Sequence, residues 1–144
     1  AAAVLALRPG PRAPRAAPRE DLVLASAGPQ CTAEDHRYLQ DVQHNDPQSF
    51  FRDMDYCATH SISWHLSFET GSFMSCMRAG SYPGLTEPCL DCYRMNSEYA
   101  FDNCKLQCLR NWCSDTCLQC TSGNQDAFSA CSGAQVGLPQ VRRC

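Results

Sequence analysis

No stretch of this 144-residue chain approaches the roughly 18 consecutive apolar positions that a membrane-spanning helix requires. It has no Asn-x-Ser/Thr acceptor for glycans, no glycine-rich phosphate loop, no G-x-S-x-G elbow and no calcium-binding loop of the EF-hand kind. Its histidines, His36, His44, His60 and His65, make no H-x3-H pair, so no helix offers two imidazoles on one face to a metal. The first nineteen residues contain no acid, and residues 31–133 carry thirteen acids against six bases, so the body lacks the basic patch that nucleic acid would demand. These absences leave no catalytic residue set, no cofactor motif and no reason to expect a nucleic-acid partner.

What the chain has is cysteine. Twelve occur in 144 residues, a density that belongs to disulfide scaffolds of oxidising compartments rather than to the cytosol. The count is even, so every thiol can pair, which makes half-cystines of Cys31, Cys57, Cys76, Cys89, Cys92, Cys104, Cys108, Cys113, Cys117, Cys120, Cys131 and Cys144. Seven of the twelve fall in residues 89–120, and this hub is where helices are expected to be stapled together. Length fits one domain, whose small core the bridges would supplement.

Residues 1–30 differ from the rest. Arg8, Arg12, Arg15 and Arg19 alternate with Pro9, Pro11, Pro14 and Pro18 among alanines, a pattern that forbids a continuous helix and predicts an extended arm. The composition suits a targeting segment, and the start without Met suits a processed or incomplete N-terminus. Ala25-Ser26-Ala27 has the form of a cleavage site, although the apolar run before it is too short for an export signal. Leu22, Val23 and Leu24 are the arm's apolar cluster and, with the four arginines, its expected contacts to a partner.

The body, residues 31–133, reads as a series of short helices. Thr32 is placed to cap the first, with Glu34 and Asp35 in its opening turn. Asp46-Pro47 signals a second start, with Phe50, Met54, Cys57 and Ala58 on its inner face. Residues 60–69 show no periodicity. A third helix is expected over residues 72–78, with Phe73, Cys76 and Met77 inward and Gly80 as its stop. Ser81-Tyr82-Pro83-Gly84 is a turn, and Thr86-Glu87-Pro88 opens a helix presenting Cys89, Cys92 and Tyr93. A separate helix over residues 97–110 would put Cys104 and Cys108 on one face, with a bend near Asn111 or bridging on two sides. Asn124 is placed to cap a last helix with Ala127, Phe128 and Cys131 inward, ended by Gly133. Residues 134–144 form a tail.

Two assignments follow from these faces: Cys57 and Cys76 are expected to join the two early helices, and Cys89 and Cys92 to bridge to Cys104 and Cys108. Cys31 is expected to reach Cys144 on a separate ground, both lying outside residues 46–133. Cys89-x2-Cys92 with Cys117-x2-Cys120 has the look of a four-thiolate zinc site, but its spacer is long and crowded by other cysteines. A redox role for either C-x2-C would need a preceding strand, which is missing. Cys104-x3-Cys108 and Cys113-x3-Cys117 are twin units separated by only four residues, too few for the helical hairpin such units require. Trp64 and Trp112 read as core or interface residues.

With these spacings in place, residues 46–133 resemble a family of small cysteine-rich proteins abundant in dinoflagellate and related algal proteomes. The matching elements are Asp46-Pro47 with Phe50, Met54 and Cys57, then Gly84-Leu85-Thr86 leading into Cys89-x2-Cys92-Tyr93. Asp102-Asn103-Cys104-x3-Cys108, Cys117-x2-Cys120 and Ala127-Phe128-x2-Cys131-Ser132-Gly133 complete the likeness. The chain departs from it at Asn124, where a cysteine is expected, and at Cys113, which is additional. The family has no established activity, so the resemblance implies none.

The expectation is therefore an all-α, disulfide-stapled domain with extended arms at both ends, not an enzyme and without cofactor or metal. Its expected role is an accessory structural subunit docking on protein subunits of a larger, membrane-embedded complex in an oxidising lumen. If the resemblance holds, the concrete form is a lumenal extrinsic subunit of an algal photosystem in the thylakoid. Two alternatives stay open: a free secreted protein that binds a ligand or receptor, and a thiol-redox or zinc-binding protein.

Overall fold

A computed structural model describes residues 28–46, 49–80, 82–108, 111–112 and 114–133. Among them are seven α-helices and no strand: α1 (Ala33–Asn45), α2 (Ser49–His60), α3 (Thr70–Gly80), α4 (Glu87–Asn103), α5 (Lys105–Cys108), α6 (Asp115–Thr121) and α7 (Gln125–Ser132), with a 3-10 turn (Ser122–Asn124) before the last. The all-α expectation holds. The arm residues Arg8, Arg12, Arg15, Arg19, Leu22, Val23 and Leu24, together with Pro47, Cys113, Cys144 and the tail 134–144, lie outside the described residues.

The central element is α4, which packs on α2, α3, α5, α6 and α7. Thr86 stands at its N-cap in extended conformation and Pro88 lies in its first turn, where a missing N–H costs nothing. Its buried positions, Cys89, Leu90, Cys92, Tyr93, Asn96, Ser97 and Ala100, repeat at helical spacing over more than three turns. The two separate helices expected across residues 86–110 are thus mostly one. Asn96 and Ser97 are modest helix formers, but both are buried on the inner face, where packing overrides propensity.

This continuity corrects the disulfide assignment. Fifteen residues of sequence separate Cys89 from Cys104, about 22 Å along a helix at 1.5 Å per residue, so the first turn of α4 cannot be bridged to residues beyond its last. Cys89 pairs instead with Cys31, and Cys92 with Cys131. Cys104 pairs with Cys120 and Cys108 with Cys117. The expected bridge between Cys57 and Cys76 is present and joins α2 to α3. No cysteine among the described residues is free.

Cys31 does not reach for Cys144, because its neighbour Thr32 is fixed elsewhere. The carboxylate of Asp35 is fully buried and serves two helix starts at once. It accepts from the Thr32 N–H (2.7 Å) and hydroxyl (2.9 Å), while the Thr32 hydroxyl accepts in return from the Asp35 N–H (3.1 Å), completing a capping box on α1. It also accepts from the Thr86 N–H (2.7 Å) and hydroxyl (2.8 Å) at the start of α4. One side chain therefore holds the N-termini of α1 and α4 together, and the Cys31–Cys89 bond closes beside it. Burial alone would push the Asp35 carboxyl up, but the four donors outweigh it and the net shift is downward.

Past α4 the chain steps through Cys104 into α5, and α6 packs against α5. The bonds Cys104–Cys120 and Cys108–Cys117 are nested across this pair. A doubly stapled helical hairpin does form, with Cys117-x2-Cys120 rather than Cys113-x3-Cys117 as its second arm. Eight residues of sequence separate Cys108 from Cys117, against the four between Cys108 and Cys113. In α7, Phe128 is buried and Cys131 partly so, whereas Ala127 is exposed, contrary to expectation. Gly133 ends α7 at φ 92°, a left-handed conformation that suits glycine. Asn124 does stand at the N-cap of α7, but its side chain accepts no hydrogen bond from the helix; its amide donates to Asn96 Oδ1 (3.1 Å) on α4.

The core is aromatic at its centre. Phe50 of α2 meets Tyr93 of α4 edge-on at 4.9 Å and Tyr82 at 4.8 Å, and Tyr93 meets Phe128 of α7 at 5.1 Å. Met54, Phe73, Met77, Leu39 and Leu90 fill the space around them. The Tyr82 hydroxyl donates to Asp53 at 2.8 Å, so this ring is anchored at both its apolar and its polar end.

Candidate interaction surface

The connection between α2 and α3, residues 61–69, is without periodicity in sequence yet highly ordered in structure. Serines build it. The Ser61 hydroxyl donates back to the Cys57 carbonyl at 2.6 Å, stopping α2. Ile62 and Phe68 face each other as an isolated antiparallel pair, and the Ser63 N–H donates to the Ser67 carbonyl at 2.9 Å. The Leu66 N–H donates to the Ser63 carbonyl (2.9 Å), closing a four-residue turn. Across it the Ser63 and Ser67 hydroxyls lie 2.7 Å apart, and the Ser67 N–H donates to Ser63 Oγ at 3.2 Å. The Glu69 N–H returns to the Ser61 carbonyl (2.7 Å), and the Glu69 carbonyl then receives the Phe73 N–H of α3.

This scaffold turns two residues outward. Trp64 is 86% exposed and Leu66 69% exposed. Leu66 is the only non-glycine among the described residues with positive φ, at 60°. A side chain in the left-handed region costs about 1–2 kcal/mol. The His65 ring lies against that of Trp64, and nearby in sequence the half-exposed Tyr56 stacks on His60 at 3.9 Å. Phe68 points the other way, into Phe73 (5.8 Å) and Phe101 (6.2 Å), and so anchors the loop to the body. Sequence reasoning left Trp64 between core and interface. The signal that could have separated it from Trp112, which is buried, was the serine spacing around it.

The other residues singled out by type are not brought together. The sulfurs of the two C-x2-C pairs are bonded to four cysteines in four different bridges or bridge ends, so neither pair closes on itself. His44 is exposed in the last turn of α1, His60 holds the Tyr56 carbonyl through Nδ1 at 2.8 Å, and His36 stands near Gly133. No group of three or more His, Cys, Asp or Glu with metal-binding geometry occurs among the described residues. On the outer side of α4, Arg94 is clamped by Asp91 (2.6 Å) and Glu98, and the hydrogen bond it donates to Asp91 raises its already high pKa. No described helix is long and apolar enough to cross a membrane.

No family model, curated protein or solved structure matches this chain.

Proposed function

We propose that this protein is a non-catalytic structural subunit that docks on a partner protein of a larger assembly in an oxidising compartment. The observation that carries this reading is the tip at residues 63–67. An exposed tryptophan and an exposed leucine sit on a strained turn that four hydrogen bonds of Ser63 and Ser67 hold in place. Tryptophan in such a position is the residue type most enriched among the few that dominate binding energy at protein interfaces. The five disulfides support an oxidising compartment. The narrower form, an extrinsic subunit on the lumenal side of an algal photosystem, rests on the family resemblance alone.

The test is native size-exclusion of tagged protein expressed in its own cells and extracted without reductant. The wild-type chain is expected in a high-mass fraction. The Trp64→Ala variant is expected in the low-mass fraction of the free chain, with unchanged circular dichroism. Loss of a hot-spot residue typically costs 2 kcal/mol or more, about thirtyfold in affinity. Identical elution of the two proteins would refute the docking role of the tip. Fractionation of thylakoids then decides the photosystem form: absence from the lumenal face removes it and leaves the general reading standing.

A further inference from the structure

Beneath the same loop lies a cavity of about 60 Å3 between α2, α4 and α5. Its walls include three aromatic rings, Phe68, Phe101 and Trp112, and three oxygen-bearing side chains, Asp55, Ser97 and Thr59, the last already donating to the Asp55 carbonyl. Ser97 is 2% exposed and its hydroxyl has no hydrogen-bond partner. A buried hydroxyl left unpaired costs about 1–3 kcal/mol, so an orphan of this kind calls for an explanation. Among the described residues the Asp55 carboxylate likewise makes no hydrogen bond or ion pair through its side chain. The chain's single lysine, Lys105, also lines the cavity, and its ammonium sits 3.8 Å above the centre of the Phe101 ring. One aromatic wall therefore already holds a cation, while the carboxylate on the opposite helix has none.

We propose that this cavity is a binding site for the head of a primary alkylammonium ion. An ammonium has three donors and no acceptor. The cavity offers a carboxylate at Asp55, a free hydroxyl oxygen at Ser97, and aromatic faces of the kind that attract cations. The methylene stem behind the ammonium suits the apolar remainder of the wall. Size points to the class: about 60 Å3 is well short of the roughly 150 Å3 that accommodates a benzene ring, which favours a slim amine over an aromatic one. Burial pushes the Asp55 carboxyl up.

Two sources present this chemistry, a free small amine and a lysine side chain on a protein. The test uses the full chain, labelled for NMR, and follows the Trp112 indole and the Ser97 amide during titration. The probes are n-butylammonium, n-butanol as the neutral match of equal length, and the lysine analogue N-acetyl-lysine-N-methylamide. Saturable shifts with n-butylammonium are expected, at least about tenfold tighter than with n-butanol, a difference of roughly 1.4 kcal/mol. Asp55→Asn is expected to weaken n-butylammonium by about the same factor while retaining the dispersion of the spectrum. Binding of the lysine analogue as well points to a protein lysine, and binding of the free amine alone to a small metabolite amine. Equal affinity for amine and alcohol, no shift at either reporter, or a folded Asp55→Asn variant that binds as well as wild type would overturn the proposal. The amine-to-alcohol comparison needs no substitution, so it decides even if the variant does not fold.

Discussion

Replacing Asp35 with Asn is the sharpest probe of how this fold is held. The side chains are nearly isosteric, so packing is conserved and the change is in hydrogen bonding and charge. In the native protein Oδ2 accepts from the Thr32 N–H, the Thr32 hydroxyl and the Thr86 hydroxyl, and Oδ1 accepts from the Thr86 N–H. Asparagine has only one acceptor oxygen. Whichever way its amide turns, an NH2 group confronts either the Thr86 N–H or the Thr32 N–H, donor against donor. Hydrogen bonds to charged groups contribute about 1.5–3 kcal/mol each, and an orphaned buried N–H costs about 1–3 kcal/mol, so Asp35→Asn should destabilise by about 3–5 kcal/mol. That is a large part of the 5–15 kcal/mol typical of a whole domain.

The assay is guanidinium denaturation of the oxidised protein, comparing wild type with Asp35→Asn across pH. The sign follows from the direction of the shift. The folded carboxyl titrates below its ordinary value, so its contribution is fully present above the unfolded pKa of about 3.9 and disappears as pH falls through the folded value. The gap between the two proteins should therefore be widest at neutral pH and should close on acidification below about pH 4. A gap under about 1 kcal/mol at pH 7, or one that stays constant into strong acid, would show that Asp35 is not the joint between the two helix starts.

Two further outcomes follow from the same coordinates. Titration of thiols in denaturant without reductant should find at most two, because ten of the twelve cysteines are bonded in five bridges; six or more would sink the disulfide framework. Leu66→Gly should raise stability by about 1 kcal/mol, since glycine adopts positive φ without a steric penalty, yet weaken association with the partner; a loss of stability would mean that the turn does not strain its leucine.

What was legible in the sequence was local. The inward faces of α2 and α3 were visible from Phe50, Met54 and Cys57 and from Phe73, Cys76 and Met77, and two short helices with one inward cysteine each left little choice about the Cys57–Cys76 bond. The Thr32 cap was visible because its partner Asp35 is three residues away. The second half of the Asp35 joint was not, because Thr86 lies 51 residues further along. Nothing local marked α4 as continuous: Asn96 and Ser97 are modest helix formers, and what buries Asn96 is contact distant in sequence, such as the Asn124 amide at the start of α7. Once one helix was divided into two, the pairing of Cys89, Cys92, Cys104 and Cys108 went wrong with it. The tip at residues 63–67 was illegible for a different reason: its order comes from serine-to-serine and serine-to-backbone bonds, which leave no hydrophobic period to detect.

The placement of the staples explains how a chain this small can hold a strained, apolar tip in water. The bridges close loops of 9 to 58 residues, each removing roughly 2.5–4 kcal/mol of unfolded-chain entropy in the simplest account. One of them spans the loop itself: residues 61–69 hang between Cys57 and Cys76, which are bonded with their Cα atoms 5.6 Å apart. The loop's ends are thus set by a covalent bond rather than by the packing of α2 on α3 alone, and the strain at Leu66 is small against that constraint. A tip ordered before any partner arrives loses less entropy on binding than a flexible one, which is where preorganised loops gain their affinity. Reduction of this one bridge should therefore act on association before it acts on the core, since Tyr93 and Phe128 lie on α4 and α7, which Cys92–Cys131 ties, and Phe50 of α2 is held to Tyr93 by packing rather than by the bridge. A Cys57→Ser/Cys76→Ser double variant that keeps its helical circular dichroism but loses its high-mass fraction would bear this out. One that keeps both would show that the serine network, and not the disulfide, holds the tip.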